Sequence, residues 1–256
     1  MTGHILFSIA GHVATITLNR PEKLNAATGE MSDAIVAAAD ECNRNDAVRC
    51  VIVTGAGPKA FCAGSDIAEL DRYTSPWEFR NRADYCDAIQ TLRKPTIAAV
   101  NGFALGGGLE TALSCDIRVA SANAKFAAPE IKLGWIGGGG MTTLLAHSIG
   151  PSNAAWMIMT GNTIDAQQAL SWGLVTEVVS QDSLAAHARD LAETIAARAP
   201  IAAETAKLNL KAAFSMPREQ AMAYERDLQT ICFATADAAE GRAAFKERRA
   251  PLFTRR

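Results

Sequence analysis

The chain has 256 residues, with 25 Lys and Arg against 27 Asp and Glu, a formal charge of −2, 49% hydrophobic residues and 20% charged ones. These values describe an ordinary globular protein, one large domain or one domain with an appendage at about 150 residues per domain. No block of like charge is long enough for a nucleic-acid or acidic-lipid patch, although Lys246 to Arg256 is locally basic, so neither nucleic acid nor membrane is expected as a partner.

The segment Met1 to Leu6 lacks a basic stretch followed by a long apolar one, and no run of about 18 uncharged apolar residues occurs, so no export signal or membrane span is expected. Six cysteines, Cys42, Cys50, Cys62, Cys86, Cys115 and Cys232, have no CxxC or metal-like spacing. A chain this long needs no disulfide framework, and they read as reduced thiols of a cytoplasmic protein. The histidines His4, His12, His147 and His187 share no ligand spacing, and no metal is expected.

From Val13 to Leu18, Ala14, Ile16 and Leu18 alternate with Thr15 and Thr17, the period of a half-buried strand. Met31, Ile35, Ala38 and Cys42 follow with helical spacing. The short apolar runs Cys50–Val53, Thr96–Val100 and Ile117–Ala120 read as buried strands separated by helices. This alternation, through about Val179, predicts an α/β domain. After Ser180 the chain turns Ala-rich, charged and helical over 184–199, 201–214 and from Pro217 onward, with Pro200 and Pro217 at tolerated helix starts. The predicted division is therefore 1–180 and 181–256. Ile201, Leu208, Leu210, Leu228, Ile231 and Phe245 fit either an oligomer interface or packing on the chain's own α/β body.

Three glycine-rich segments stand out. Thr54-Gly55-Ala56-Gly57-Pro58-Lys59-Ala60 superficially fits a dinucleotide fingerprint, but Pro58 removes an amide and position 75 is Ser where an acidic residue is required. Asn101-Gly102-Phe103-Ala104-Leu105-Gly106-Gly107-Gly108-Leu109-Glu110 places three glycines where a strand hands over to a helix. Unpaired amides there can hold a carbonyl oxygen that gains negative charge, or the glycines can serve tight packing alone. The third, Pro129-Glu130-Ile131-Lys132-Leu133-Gly134-Trp135-Ile136-Gly137-Gly138-Gly139-Gly140, also precedes a predicted helix and carries a carboxylate. Glu110 and Glu130 both lie among apolar neighbours, which raises a carboxyl pKa. A lone Glu in such a place is more often solvated or ion-paired; two, each beside a glycine turn, point to acid/base work.

Together with Ala60-Phe61-Cys62-Ala63-Gly64-Ser65-Asp66-Ile67, the last two segments resemble the signature blocks of the enoyl-CoA hydratase/isomerase (crotonase) superfamily. Leu18-Asn19-Arg20-Pro21-Glu22-Lys23-Leu24-Asn25-Ala26, the stretch from Asp165 to Val179 and Glu240 to Arg249 resemble family segments too, so the likeness spans nearly the whole chain. It implies a spiral of ββα turns with two roughly perpendicular sheets, carrying a coenzyme A thioester site over 1–180. The helical region over 181–256 is then a trimerisation region, with assembly as a trimer or a dimer of trimers. No cofactor is implied, because coenzyme A belongs to the substrate.

The resemblance assigns the oxyanion hole to the backbone N–H groups of Ser65 and Gly107, so the side chain at Ser65 should matter little. Coenzyme A is placed along Lys23, Leu24, Ala26, Ala63, Asp66, Ile67 and Ala68. Trp135 and Gly138 lie by the acyl site, and Phe245 and Lys246 close over the nucleotide from the same or a neighbouring subunit. Both glutamates of the hydratases have counterparts, Glu130 as the base that holds water and Glu110 sharing that water to complete the pair.

Two close carboxylates push their pKa values apart, which supplies one acid and one base near neutrality. The implied reaction is hydration of a 2-enoyl-CoA or its reverse. Double-bond isomerisation, where one glutamate suffices, and a non-catalytic CoA- or RNA-binding relative are the alternatives. The third block departs from the family pattern, with Gly137 in place of proline and Met141 in place of glycine. Gly137 is expected to loosen the turn that aims the Gly138 amide at the site. The aromatic segment Tyr73 to Phe79 suits either a ring-bearing acyl pocket or a surface helix.

Overall fold

The computed structural model describes residues 3–256, so Met1 and Thr2 of the opening segment lie outside the described residues. Strands β1 (Ile5–Ala10) and β2 (Val13–Leu18) form an antiparallel hairpin, and the alternation in β2 buries Ala14, Ile16 and Leu18 while Thr15 and Thr17 stay half-exposed. Helix α1 (Gly29–Arg44) begins where the Thr28 hydroxyl accepts the Met31 N–H at 3.3 Å, and it buries Met31, Ile35, Ala38 and Cys42.

The chain then makes three similar turns. β3 (Cys50–Gly55) is followed by β4 (Ala60–Cys62) and the short helices α2 (Ile67–Leu70), α3 (Pro76–Arg80) and α4 (Tyr85–Gln90). β5 (Thr96–Val100) is followed by β6 (Phe103–Leu105) and α5 (Gly107–Leu113). β7 (Ile117–Ser121) is followed by β8 (Lys125–Ala127), a 3-10 turn over Pro129–Leu133, α6 (Met141–Ile149) and α7 (Pro151–Thr160). In each turn the first strand joins a six-stranded sheet, β1-β2-β3-β5-β7-β10, and the second joins a four-stranded one, β4-β6-β8-β9. The sheets are completed by β9 (Ile164–Asp165) and β10 (Glu177–Val179), with α8 (Ala166–Trp172) between them. This is the spiral of ββα turns. The first glycine segment leads into β4 and not into a helix, which removes the geometry a dinucleotide turn needs.

Two buried asparagines fasten the corner where β3 crosses to β4. Asn101 Nδ2 reaches the carbonyls of Gly55, Gly57 and Ala60 at 2.8, 2.6 and 3.1 Å, while its Oδ1 accepts the Gly55 N–H. Asn25 Nδ2 reaches the carbonyls of Ala56 and Ala60 at 3.0 and 2.7 Å. These side chains hydrogen-bond the carbonyls around the turn, and so fix the start of the segment 60–66.

After residue 180 the chain is helical: α9 (Leu184–Ala196), α10 (Pro200–Ser215), α11 (Arg218–Phe233) and α12 (Ala236–Glu247). α9 lays Leu184, Ala188, Ala192 and Ala196 on Val13, Cys50, Ile52, Ile97, Ala99 and Val119, closing the outer face of the six-stranded sheet. It therefore belongs to the body's core, although it follows Ser180. α10 is pinned by Lys207, whose buried Nζ pairs with Asp116 Oδ2 at 2.9 Å and donates to the Lys94 carbonyl at 2.9 Å. Leu208, Leu210, Phe214, Ile231 and Phe233 on α10 and α11 are exposed, whereas Leu228 is buried. Among the described residues, no helix is long and apolar enough to cross a membrane.

Candidate active site

The three resemblance blocks converge on one cleft, with a cavity of about 150 Å³ between the ends of β4 and β6, the N-terminus of α4 and the loop before α6. Its floor is polar. Ala27 and Ser65 form an isolated parallel bridge, in which Ala27 N–H donates to Gly64 and Asp66 N–H to Ala27, each at 2.8 Å. That pairing turns the Ser65 N–H to the other side, where it finds no partner among the described residues. The Gly107 N–H, first of α5, has none either. The backbones approach closely here: a Cβ on Gly64 would stand 3.3 Å from the Gly107 nitrogen, and one on Gly107 would overlap the Tyr85 hydroxyl.

Glu110 and Glu130 face this floor. Glu110 is buried on α5, and its Oε1 accepts the N–H groups of Gly139 at 2.7 Å and Met141 at 3.1 Å. Burial pushes its pKa from 4.5 up to about 7, helped by the neighbouring Glu130 charge and opposed by the two N–H bonds. Glu130, half-buried in the 3-10 turn, is also raised by burial. The donors that reach Glu110 are therefore Gly139 and Met141 and not Gly138, which lines the cleft without that bond. At Gly137 a side chain is excluded, because a Cβ there would stand 2.7 Å from Glu110 Oε1 and crowd Met141.

The cleft wall also includes Ala63, Ile67, Phe79, Tyr85, Trp135 and Ile136, with Arg82 and Asp84 paired at 2.8 Å. Arg82 lies 4.2 Å over the Phe79 ring, and Tyr73 meets Phe79 edge-on. Lys23, Leu24 and Ala26 do not line the cleft; their loop runs beside it, with Ala63 N–H donating to the Leu24 carbonyl at 3.0 Å. The Asp66 carboxylate binds Arg20 at 2.7 Å and accepts the Ala68 N–H, so it braces this loop. Phe245 and Lys246 lie on α12 outside the cleft wall, with Phe245 87% exposed. Cys62 is buried, and its thiol is pushed up to about 11 by desolvation, which disfavours the thiolate a nucleophile needs.

Tyr85 escaped the sequence reading. It is buried, its hydroxyl lies 3.1 Å from Ser65 Oγ, and burial pushes its phenol above the ordinary value. The Ser65 side chain is thus engaged with Tyr85. A tyrosine in a six-residue helix carries no motif; only the fold brings it to Ser65.

The sequence matches the enoyl-CoA hydratase/isomerase family over residues 8–256. The chain belongs to that family. Among similar relatives, the short-chain-enoyl-CoA hydratase of Clostridium acetobutylicum is 38% identical over 250 residues, covering 96% of this chain and 95% of the relative. The (E)-benzylidenesuccinyl-CoA hydratase of Thauera aromatica is 38% identical over 251 residues, covering 97% and 98%. The crystal structure of an enoyl-CoA hydratase from Bacillus anthracis superposes with a TM-score of 0.94 at 34% identity, covering 99% of this chain and all of that one. As a family member the chain shares the two-sheet α/β architecture.

Proposed function

We propose that the chain is an enoyl-CoA hydratase, adding water across the 2,3 double bond of a 2-enoyl-CoA thioester or removing it from a 3-hydroxyacyl-CoA. The observation that carries this reading is one cleft holding two carboxyls with raised pKa beside two unpartnered backbone N–H groups. The N–H groups of Ser65 and Gly107 bind the thioester oxygen and stabilise the enolate that forms as water adds at C3. Glu110 and Glu130 hold that water, one taking its proton and the protonated partner delivering a proton to C2. Because Glu110 Oε1 already accepts two N–H bonds, its proton resides on Oε2. The pair titrates as a unit, and Glu110 at about 7 exchanges between both forms near neutrality.

Coenzyme A then lies along Lys23, Leu24 and Ala26 and along Ala63 and Asp66 to Ala68, and no further cofactor takes part. The exposed apolar positions of α10 and α11 support self-association as a trimer or a dimer of trimers. Within the 181–256 region α10 and α11 supply that interface, while α9 closes the 1–180 body that supplies the site. In such an assembly Phe245 and Lys246 reach a neighbour's nucleotide. The free thiols suit a cytoplasmic enzyme.

The test is a panel of crotonyl-, long-chain, branched and aromatic 2-enoyl-CoA thioesters, followed by loss of the conjugated thioester absorbance. Hydration of at least one is expected. If every 2-enoyl thioester stays intact while a 3-enoyl-CoA is converted to its conjugated isomer, the chain is an isomerase. The relatives named for short-chain and benzylidenesuccinyl substrates, and the Phe79, Tyr85 and Trp135 wall, make the short and aromatic members the first to try.

A further inference from the structure

The Ser65 and Tyr85 hydroxyls meet at 3.1 Å in the cleft wall, and among the described residues neither oxygen has another partner. Two hydroxyls carry two hydrogens, and their mutual bond uses one. The other is left in a site from which Tyr85 is almost wholly shielded, at 6% exposure. A buried donor without an acceptor is costly, so such a hydrogen marks a place where a ligand oxygen fits. The place is specific. Ser65 contributes one of the two unpartnered N–H groups, and the Tyr85 oxygen sits where a side chain on Gly107, which contributes the other, would have to be.

We propose that the Ser65–Tyr85 hydroxyl pair supplies a third hydrogen-bond donor to the thioester carbonyl oxygen, beside the N–H groups of Ser65 and Gly107. The inference rests on the thioester reading of the cleft. The hydroxyl donates without giving up its proton, and the proton that reaches C2 still comes from the Glu110–Glu130 pair. Either hydroxyl can point at the ligand while the other points at its partner, so the pair adjusts to an oxygen that shifts as the carbonyl becomes an enolate.

The test uses Tyr85→Phe, Ser65→Ala and the double variant, with crotonyl-CoA for kinetics and cinnamoyl-CoA as a chromophore whose absorption moves to longer wavelength when its carbonyl is polarised. The double variant is expected to lose about 10- to 100-fold in kcat, the range of one hydrogen bond to a charged oxygen, with little change in KM. Its bound cinnamoyl band should lie at shorter wavelength than in the wild type. Each single variant should lose less, because the remaining hydroxyl turns its hydrogen to the ligand. A double variant with wild-type kcat and band position overturns the proposal, as does a rise in KM alone. Should the double variant not fold, Ser65→Cys with Tyr85→Phe takes its place, since the thiol keeps the volume but donates only weakly, and a wild-type kcat and band position in it overturn the proposal equally. A wild-type protein that binds cinnamoyl-CoA with a shifted band yet hydrates no thioester removes the hydratase reading, while the band comparison still decides the third donor.

Discussion

Glu110 Oε1 and the Gly139 N–H lie 2.7 Å apart, tying a carboxyl on α5 to the glycine run that leads into α6. The bond orients Glu110 and partly offsets the burial that raises its pKa from 4.5 to about 7. Between these values the folded protein keeps a proton that the unfolded chain has released, so stability falls as pH rises through the window, by up to about 3 kcal/mol for this buried group. Below the unfolded value the effect vanishes. Glu110→Gln keeps an acceptor for both N–H groups and abolishes the titration. Thermal unfolding should therefore show the variant gaining on the wild type from pH 5 to pH 8, and a constant difference across that range contradicts the shift.

In catalysis the same proton is needed. Glu110→Gln and Glu130→Gln should each lower kcat by about 10² to 10⁴, the usual worth of a general acid or base, while calorimetry shows thioester binding retained. Wild-type kcat/KM should decline as pH rises through about 7, where the pair loses its shared proton. Near-normal turnover in either variant sinks the two-carboxylate mechanism.

Gly108 is fixed by close packing. A Cβ added there would overlap the backbone carbonyl of Cys62 on β4, and backbone cannot move aside as a flexible side chain can. Gly108→Ala should cost about 3 kcal/mol, at the upper end of overpacking effects, read as a fall in the denaturant midpoint. An unchanged midpoint would show that α5 can shift away from β4 freely.

Lys207 anchors α10 by a charge and not by apolar contact. Lys207→Met leaves Asp116 facing the Thr96 N–H and hydroxyl at 2.8 and 2.9 Å but without its cation. Asp116 retains some solvent, so the loss should be about 2 kcal/mol, less than for a fully buried pair. Chemical denaturation measures it, and a double variant with Asp116→Asn should recover part of it.

Lys207 also shows what a sequence hides. In an Ala-rich, charged helix a lysine reads as solvated, and nothing local reveals that its amine lies against the end of β5. The strands β2, β3, β5 and β7 and the apolar face of α1 were legible because long runs of buried or alternating residues have a period. The second sheet was not, since β4, β6 and β8 have three residues each, too few to show one. Glu110 and Glu130 could be found beside their glycine turns, whereas the Gly139 and Met141 donors depend on which way a turn points its amides. Tyr85 depends on two segments 20 residues apart meeting in space.

The asparagine at the β3–β4 corner has a further consequence. Asn101 is followed by Gly102, the dipeptide in which a flexible chain most readily attacks its own side-chain amide and turns asparagine into aspartate. Here the amide is held by carbonyls on three residues and the backbone is packed against Lys59, so the attack geometry is out of reach while the fold persists. Were the conversion to occur during transient opening, a carboxylate would face those carbonyls and the corner could not close again. Chemical ageing at this position would thus record how often the floor of the cleft comes apart.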